Sequence, residues 1–170
     1  MHPHDERPYS FCPMCGRDLE LRSLKPTEPD RLVCIGCGFI FYQDPKLAVA
    51  TIIRDEREHI VLVKRAIEPG YGKWVVPGGF VDRGEEVVSA AMREAREEAG
   101  VEIRIDRLLN VYSYRGVAPV IVVYVATMTG GRLECDDECL EVRFFAPDEI
   151  PWEELAFPST LAALREFLQR

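Results

Sequence analysis

Three glutamates on one predicted helix could together hold a divalent cation. Glu94, Glu97 and Glu98 lie in a segment of helical periodicity, and at about 100° per residue their side chains share one side of the helix. Carboxylate oxygens suit Mg²⁺ or Mn²⁺, which keep several waters and can bridge to phosphate groups. The alternative is a solvated acidic helix face paired with Arg93 and Arg96.

Four cysteines form a second set of possible metal ligands, arranged as two C-x2-C pairs: Cys12, Cys15, Cys34 and Cys37. A glycine follows each pair and lets backbone N–H groups turn toward the sulfurs. This spacing is typical of a zinc ribbon, in which four thiolates close a structural site. Two disulfides in a secreted protein are the disfavoured alternative, because the N-terminal segment lacks an apolar leader.

Two further cysteines, Cys135 and Cys139, form a C-x3-C pair beside three acids. We expect two free thiols here, with a redox pair or an extra metal site as alternatives.

The elements that must position these side chains follow from periodicity and turn residues. We expect strands over 31–33, 39–42, 47–54, 60–65, 74–76, 103–114, 120–128 and 140–145. A helix is predicted over 85–99, ending at Gly100, with an apolar stripe of Val88, Ala91, Met92, Ala95 and Ala99. A last helix is expected to begin at Ser159 as its N-cap. The uneven alternation predicts an α/β protein of α+β type, with a mixed sheet between helices.

Composition limits the class of protein. The 170 residues include 21 basic and 29 acidic side chains, for a formal charge of −8. This charge argues against a nucleic-acid binder with a broad basic face. We place a small zinc ribbon at residues 1–44 and the main domain at residues 45–170, with the boundary at Asp44-Pro45. Short apolar runs and the absence of a leader lead us to expect a soluble, cytoplasmic protein without a membrane span.

The run from Gly79 to Val101 resembles the Nudix box, G-x5-E-x7-R-E-U-x-E-E-x-G-U, at every fixed position, although Ala95 is small for the aliphatic site U. The chain is therefore similar to Nudix hydrolases, and to those that carry a zinc ribbon. The segments Arg65 to Pro69 and Phe157 to Ser159 also resemble the subgroup that hydrolyses FAD, ADP-ribose and NADH-like dinucleotides. The resemblance implies a Nudix-like α/β/α sandwich.

The same resemblance implies roles for individual residues. Glu94, Glu97 and Glu98 match the Mg²⁺- or Mn²⁺-binding glutamates, and Gly78 matches a residue whose carbonyl completes the coordination. Glu85 matches an accessory acid, and Arg93 matches the arginine that orients the carboxylates. The general base in the family is a box glutamate, here Glu94, or a later acid. Among Asp136, Asp137 and Glu138 we choose Glu138, with a solvated acidic turn as the alternative.

A divalent cation can neutralise pyrophosphate oxygens and activate water, while a carboxylate accepts the proton. The resemblance implies hydrolysis of a nucleoside diphosphate linked to another group, with FAD or ADP-ribose favoured and AMP as one product. The NADH pyrophosphatase signature S-Q-P-W-P-F-P-x-S is absent, so NADH, NAD or NAD-capped RNA are alternatives. Arg65 and Arg115 are candidate phosphate ligands. Tyr112 and Tyr114 are candidates for stacking on a base, although aromatic residues at i and i+2 more often pack on one sheet face.

Two hypotheses belong to other classes of protein. A non-catalytic, nucleotide-sensing Nudix regulator would tolerate loss of box acids, and every box acid is present. A ribbon that binds RNA or DNA is disfavoured because acidic residues outnumber basic ones in residues 1–44. We expect a small-molecule dinucleotide as substrate, no nucleic-acid or membrane partner, and a homodimer.

Overall fold

The structure, a computed structural model, describes residues 9–169 and divides the chain into two compact units, Met1–Asp44 and Pro45–Arg170. The first unit is an antiparallel sheet of three strands, β1 (Leu19–Arg22), β2 (Arg31–Cys34) and β3 (Ile40–Phe41). The sequence predicted β2 and β3 but not β1, whose alternation over four residues is too short to stand out. The few buried side chains include two cysteines, which is typical of a unit that a metal must stabilise.

The second unit contains six strands and two helices. Its elements are β4 (Lys46–Arg54), β5 (Ile60–Arg65), β6 (Trp74–Val75), α1 (Val87–Ala99), β7 (Val101–Ser113), β8 (Pro119–Gly131), β9 (Cys139–Phe145) and α2 (Pro158–Leu168). Neither of these helices, nor any other among residues 9–169, is both long and apolar enough to cross a bilayer.

The strands form one mixed sheet in the order β6-β5-β4-β8-β7, and β9 pairs with β5. Strands β4 and β8 run parallel, with Val49 opposite Val122, while the other pairs are antiparallel. Among the described residues β4 pairs with β5 only at Arg54 and Ile60, so the loop that follows β6 can hydrogen-bond to the remaining backbone groups on that side of β4. This loop, residues 77–79, is the part of the fold on which the candidate site depends.

Alternate residues of the central strands face opposite layers of the sandwich. Ile52 and Leu62 lie in a core with Leu164 of α2, whereas Ile53 and Val61 lie in a core with Ala95 of α1. Since helices cover both faces, β5 is buried over Ile60 to Val63 and shows no polar alternation. The predicted α/β/α arrangement with a mixed sheet is confirmed.

Three details of the helices differ from expectation. Helix α1 begins at Val87 rather than at Glu85, because the Glu85 carboxylate accepts the Asp82 N–H and pairs with Arg93. The buried face of α1 comprises Ala90, Ala91, Glu94, Ala95 and Ala99, while Val88 and Met92 are exposed. The N-cap position of α2 is Phe157, with Pro158 as the first helical residue, so Ser159 is inside the helix.

Candidate functional site

Helix α1 brings a carboxylate against the sheet because its buried face consists of small side chains. Ala90, Ala91, Ala95 and Ala99 are all fully buried, which lets the helix lie close to β4. Glu94 belongs to the same face and is only 9% exposed. Burial disfavours the charged form and raises the pKa of Glu94, although the Arg93 guanidinium opposes the shift.

Two glycines allow the 77–79 loop to pass between β4 and this carboxylate. The Thr51 N–H donates to the Pro77 carbonyl at 2.8 Å, and the Val49 N–H donates to the Gly79 carbonyl at 2.9 Å. A Cβ on Gly79 would overlap the Glu94 carboxylate, and one on Gly78 would overlap the Val49 carbonyl. Gly78 therefore requires glycine for close approach to the backbone, while a side chain at Gly79 would displace the Glu94 carboxylate.

Arg93 orders three acids around itself. Its Nε and one terminal nitrogen each donate to Glu85 at 2.9 Å, while the other terminal nitrogen donates to Glu94 at 2.6 Å and to Glu97 at 3.0 Å. Hydrogen bonds from Arg93 and from the Asp82 N–H lower the pKa of Glu85 to about 2. Glu85 is therefore held as the partner of Arg93, in agreement with an accessory role.

Glu98 lies on the opposite side of this group. Its carboxylate accepts the Gly78 N–H at 2.8 Å. Burial raises its pKa to about 7; the negative charges of Glu94 and Asp136 add to the shift, and Arg65 opposes it. Among the described residues, no hydrogen bond uses the Gly78 carbonyl, so that oxygen remains able to bind a cation.

Glu94, Glu97 and Glu98 do not converge as the four cysteine sulfurs do. Across residues 9–169, the only group of three or more His, Cys, Asp or Glu ligand atoms that meet closely is the cysteine cluster. Glu94 and Glu97 turn toward Arg93, and Glu98 turns toward the loop. Like charges favour such separation. The donor set of hard oxygens fits Mg²⁺ or Mn²⁺, provided that these side chains rotate toward a common point.

A cavity of about 910 Å³ is lined by this acidic group together with apolar side chains. Its acidic lining residues are Glu94, Glu97, Glu98, Asp136, Asp137 and Glu138. Its apolar lining residues include Ile67, Phe80, Val117, Ile121 and Phe157. The volume lies in the range of small-molecule sites. A ligand that carries both charged and apolar groups fits this lining.

Arg65 is the one cationic side chain among the described residues that line the cavity. Its Nε donates to the Pro69 carbonyl at 2.9 Å, and its guanidinium carbon lies 5.3 Å from the centroid of the Phe157 ring. These contacts orient the group while leaving its terminal nitrogens for a ligand. The predicted phosphate ligand Arg65 therefore lies where a phosphate could reach it.

The other predicted substrate-binding residues lie in different parts of the structure. Tyr114 lines the cavity, but Tyr112 and Arg115 do not. The Tyr112 hydroxyl donates to Glu166 of α2 at 2.8 Å, and its ring packs against the core beneath that helix. The two tyrosines differ because β7 ends at Ser113, so the i, i+2 rule does not extend to Tyr114. The expected contacts of Tyr112 and Arg115 with substrate stay predictions, which their position outside the cavity lining does not support.

The apolar lining of the cavity was missed in the sequence. Phe80 is 51% exposed although it follows the buried loop, and the Lys46 ammonium lies 5.0 Å from its ring centroid. Val117 and Ile121 looked like ordinary strand residues of β8 and its preceding turn. The one available signal of this lining was an aromatic residue, Phe80, inside the motif that carries the glutamates. Periodicity alone cannot distinguish a core side chain from one that lines a cavity.

The acidic loop before β9 lines the cavity, and it includes Glu138, the residue chosen as a candidate base. The Glu138 N–H donates to the Asp136 carboxylate at 3.0 Å. Cys135 and Cys139 flank the loop and form a disulfide, with their Cα atoms 5.2 Å apart. The expectation of two free thiols is therefore wrong, because the turn between the cysteines folds back and brings their side chains together.

In the first unit, the four sulfurs of Cys12, Cys15, Cys34 and Cys37 lie within 4.8 Å of one another. The Gly36 and Cys37 N–H groups donate to the Cys34 sulfur at 3.3 and 3.4 Å. These hydrogen bonds, the one from Cys37 most strongly, lower the pKa of Cys34 to about 6. A thiolate is the form that binds metal. The cluster is consistent with structural zinc.

Comparison with protein families matches both units. Residues 44–168 match the family described as NUDIX domain, and residues 10–43 match the family described as Nudix N-terminal, a zinc ribbon. The crystal structure of a NUDIX hydrolase from Nitrosomonas europaea is 35% identical and superposes with a TM-score of 0.90, covering 95% of this chain and 91% of that one.

Two characterised relatives carry different activities in their names. The ADP-ribose pyrophosphatase of Methanocaldococcus jannaschii is 37% identical over 120 residues, which are 68% of this chain and 69% of that protein. The NAD-capped RNA hydrolase NudC of Salmonella heidelberg is 27% identical over 158 residues, which are 92% of this chain. The chain spans 58% of the length of that relative.

The raised pKa of Glu98 predicts a stability effect. Between about pH 4.5 and pH 7 the unfolded state loses the Glu98 proton before the folded state does, so this group lowers stability as pH rises. In the absence of added divalent cation, the free energy of unfolding of Glu98→Gln should therefore rise relative to that of the wild type by about 1 to 2 kcal/mol from pH 5 to pH 8. Urea unfolding at both pH values measures this change. Glu97→Gln, at a side chain 55% exposed, is the control. An equal gain in both variants, or none in Glu98→Gln, would contradict the assignment.

The cysteine cluster predicts one zinc ion per chain. Elemental analysis after gel filtration should find about one equivalent in the wild type. Cys34→Ser should lose it and unfold the first unit, because metal binding supplies the folding free energy of such small units. Finding four free, titratable thiols and no zinc in the wild type would refute this interpretation.

Proposed function

The chain belongs to the Nudix hydrolase family, in the branch that carries a zinc ribbon, and from that premise we propose that it hydrolyses ADP-ribose or FAD to AMP and the second phosphorylated half. That the chain is a Nudix pyrophosphatase follows from the family and its relatives. The observation that supports ADP-ribose or FAD as the substrate is the cavity, whose lining combines acidic and apolar side chains.

Glu94, Glu97, Glu98 and the Gly78 carbonyl would hold Mg²⁺ or Mn²⁺ in this proposal. The family typically depends on divalent metal, and hard oxygens on a rigid helix beside an unused carbonyl suit such an ion. When bound, the ion neutralises pyrophosphate oxygens and lowers the pKa of water. Arg93 orients two of the three carboxylates, and Glu85 holds Arg93 in place.

Two acids are candidates for accepting the proton of the attacking water. Glu94 is nearly buried and lies against Gly79, next to the Gly78 carbonyl proposed to bind the metal. Glu138 is exposed and lines the same cavity from the loop before β9. We propose that one of these two residues is the general base, as the family resemblance suggests.

The substrate is held from the other side of the cavity. Arg65 would bind a phosphate oxygen through its terminal nitrogens. Ser159 and Thr160, in the first turn of α2, line the cavity as well, and the positive end of the helix dipole favours an anion there. Tyr114 and Phe80 would contact the base or the flavin ring, because flat aromatic groups pack well on one another.

A second candidate function rests on the NudC relative. That relative is named for hydrolysis of NAD-capped RNA and matches this chain across both units. The formal charge of −8, and the presence of one basic side chain among the described residues that line the cavity, argue against RNA as the main substrate. NAD and NADH remain alternatives among small molecules. The complete set of box acids disfavours a non-catalytic regulator.

Further features of the protein remain predictions. We propose a homodimer, as the resemblance implies, and a cytoplasmic location. Four reduced cysteines at a metal cluster are typical of a reducing compartment, which supports that location. The division into a ribbon at 1–44 and a hydrolase domain at 45–170 is part of the same proposal.

A magnesium-dependent screen of ADP-ribose, FAD, NAD, NADH and dinucleoside polyphosphates tests the function, with products separated by chromatography. We expect the highest kcat/KM for ADP-ribose or FAD, with AMP as a product. Glu97→Gln and Glu98→Gln should each lose about 100-fold or more of this activity while remaining folded, because charge stabilisation in the transition state is lost. Near-normal turnover in both variants would contradict the metal assignment.

The two tyrosines provide a matched test of the substrate contact. Tyr114→Ala should raise KM about fivefold to tenfold, because stacking is worth about 1 kcal/mol. Tyr112→Phe should leave KM unchanged and lower the free energy of unfolding by about 1 kcal/mol, because it removes the hydrogen bond to Glu166. Steady-state kinetics and urea unfolding of both variants measure these effects. A larger KM change in Tyr112→Phe would reverse the assignment.

A further inference from the structure

The loop that brings three acids to the cavity is closed by a covalent link. Asp136, Asp137 and Glu138 all line the cavity, and they are the three residues between Cys135 and Cys139, whose sulfurs are joined. The cross-link therefore encloses the acidic residues and nothing else. Neither the family match nor the sequence motif assigns a role to this pair.

The two ends of the loop are anchored differently. Cys139 begins β9, is 9% exposed, and lies opposite Arg65 of β5 at an irregularity in the pairing. The Ala66 N–H donates to the Glu138 carbonyl at 2.7 Å. Cys135 is exposed and lies outside regular structure, and the preceding Glu134 N–H donates to the last turn of α1 at 3.2 Å. Between these anchors, the disulfide is the strongest restraint on the position of the acids.

Without a bound divalent cation, electrostatic repulsion acts against that position. The loop lines the same cavity as Glu94, Glu97 and Glu98, and Arg65 is the one cationic side chain in the described lining. Like charges brought together favour opening of the loop. A covalent link can resist such repulsion, whereas two backbone hydrogen bonds at a solvent-exposed turn resist it weakly.

We propose that Cys135 and Cys139 are positioning residues for the hydrolytic reaction: their disulfide holds the 136–138 loop at the cavity, and thiol exchange at exposed Cys135 releases it. The inference rests on the proposed function for its effect on turnover. Asp136, Asp137 and Glu138 then reach the substrate only while the disulfide is intact. The link thus makes the activity depend on the thiol–disulfide state of the surroundings.

The exchange balances with a monothiol such as glutathione. Its thiolate attacks the Cys135 sulfur, the S–S bond breaks, and Cys139 leaves as a thiolate that takes up a proton. A second thiol attacks the mixed disulfide and regenerates the Cys135 thiol. In total, one protein disulfide and two glutathione thiols give two protein thiols and one oxidised glutathione, with two electrons transferred. Oxidised glutathione drives the reverse reaction.

The test uses the full-length, zinc-loaded chain and its Cys135→Ser variant, each equilibrated with either reduced or oxidised glutathione. Alkylation and mass spectrometry count the thiols of Cys135 and Cys139. Hydrogen exchange follows the amides of Ala66 and Glu138, and steady-state kinetics with Mg²⁺ and ADP-ribose or FAD give kcat and KM. The Cys135→Ser change is at an exposed residue and removes the link without altering the buried Cys139.

We expect reduction of the wild type to lower kcat about tenfold, as a displaced catalytic group does, and to change KM by less than about threefold. Exchange at Ala66 and Glu138 should become faster. Cys135→Ser should match the reduced wild type in both glutathione conditions. This split between kcat and KM distinguishes loss of positioning from general loss of structure, which would change both.

Three results would overturn the inference. The first is that both cysteines remain thiols with oxidised glutathione, and the second is that reduction changes neither exchange nor kcat. The third is that Cys135→Ser keeps the response, which would place the sensitive thiols in the ribbon. If neither redox form hydrolyses any diphosphate, the proposed function fails. Faster exchange at Ala66 and Glu138 on reduction would then still support the restraint, and unchanged exchange would overturn it.

Discussion

The structure depends on placing carboxylates against a β-sheet. Burying a negative charge is unfavourable unless it is paired or hydrogen-bonded. Glu94 is paired with Arg93, and Glu98 accepts a backbone N–H from Gly78. The small residues of α1 let the helix lie close to the sheet, and a Cβ on Gly79 would occupy the space of the Glu94 carboxylate, whereas one on Gly78 would overlap the Val49 backbone. The raised pKa of Glu98 shows that the compensation is incomplete.

The two units carry possible metal ligands of different chemical type. Soft thiolates at Cys12, Cys15, Cys34 and Cys37 already lie close together, as a structural site requires. The carboxylates of α1 remain apart and hydrogen-bonded to their neighbours. An open arrangement of hard oxygens leaves positions for water and for substrate phosphates. The first unit is therefore suited to stabilising a fold, and the second to binding an ion that takes part in a reaction.

The cavity combines acidic and apolar side chains from different parts of the chain. Helix α1 supplies three of the acids, whereas the apolar lining comes from several separate segments, including Phe80, Val117 and Phe157. In the proposed function, these segments would meet the part of the ligand that differs between dinucleotides. The loop between Cys135 and Cys139 adds acids from a third direction, and its covalent closure links their position to thiol chemistry.

The sequence alone determined the element types, the layered fold, the cysteine cluster and the glutamates of α1, because these depend on local periodicity and on fixed spacings along the chain. It did not determine that Glu94 is buried, that Tyr112 packs against α2 while Tyr114 reaches the cavity, or that Cys135 and Cys139 are joined. Those outcomes depend on where a strand ends and on how a loop turns back. Contacts between residues far apart in the chain decide both, and periodicity carries no information about such contacts.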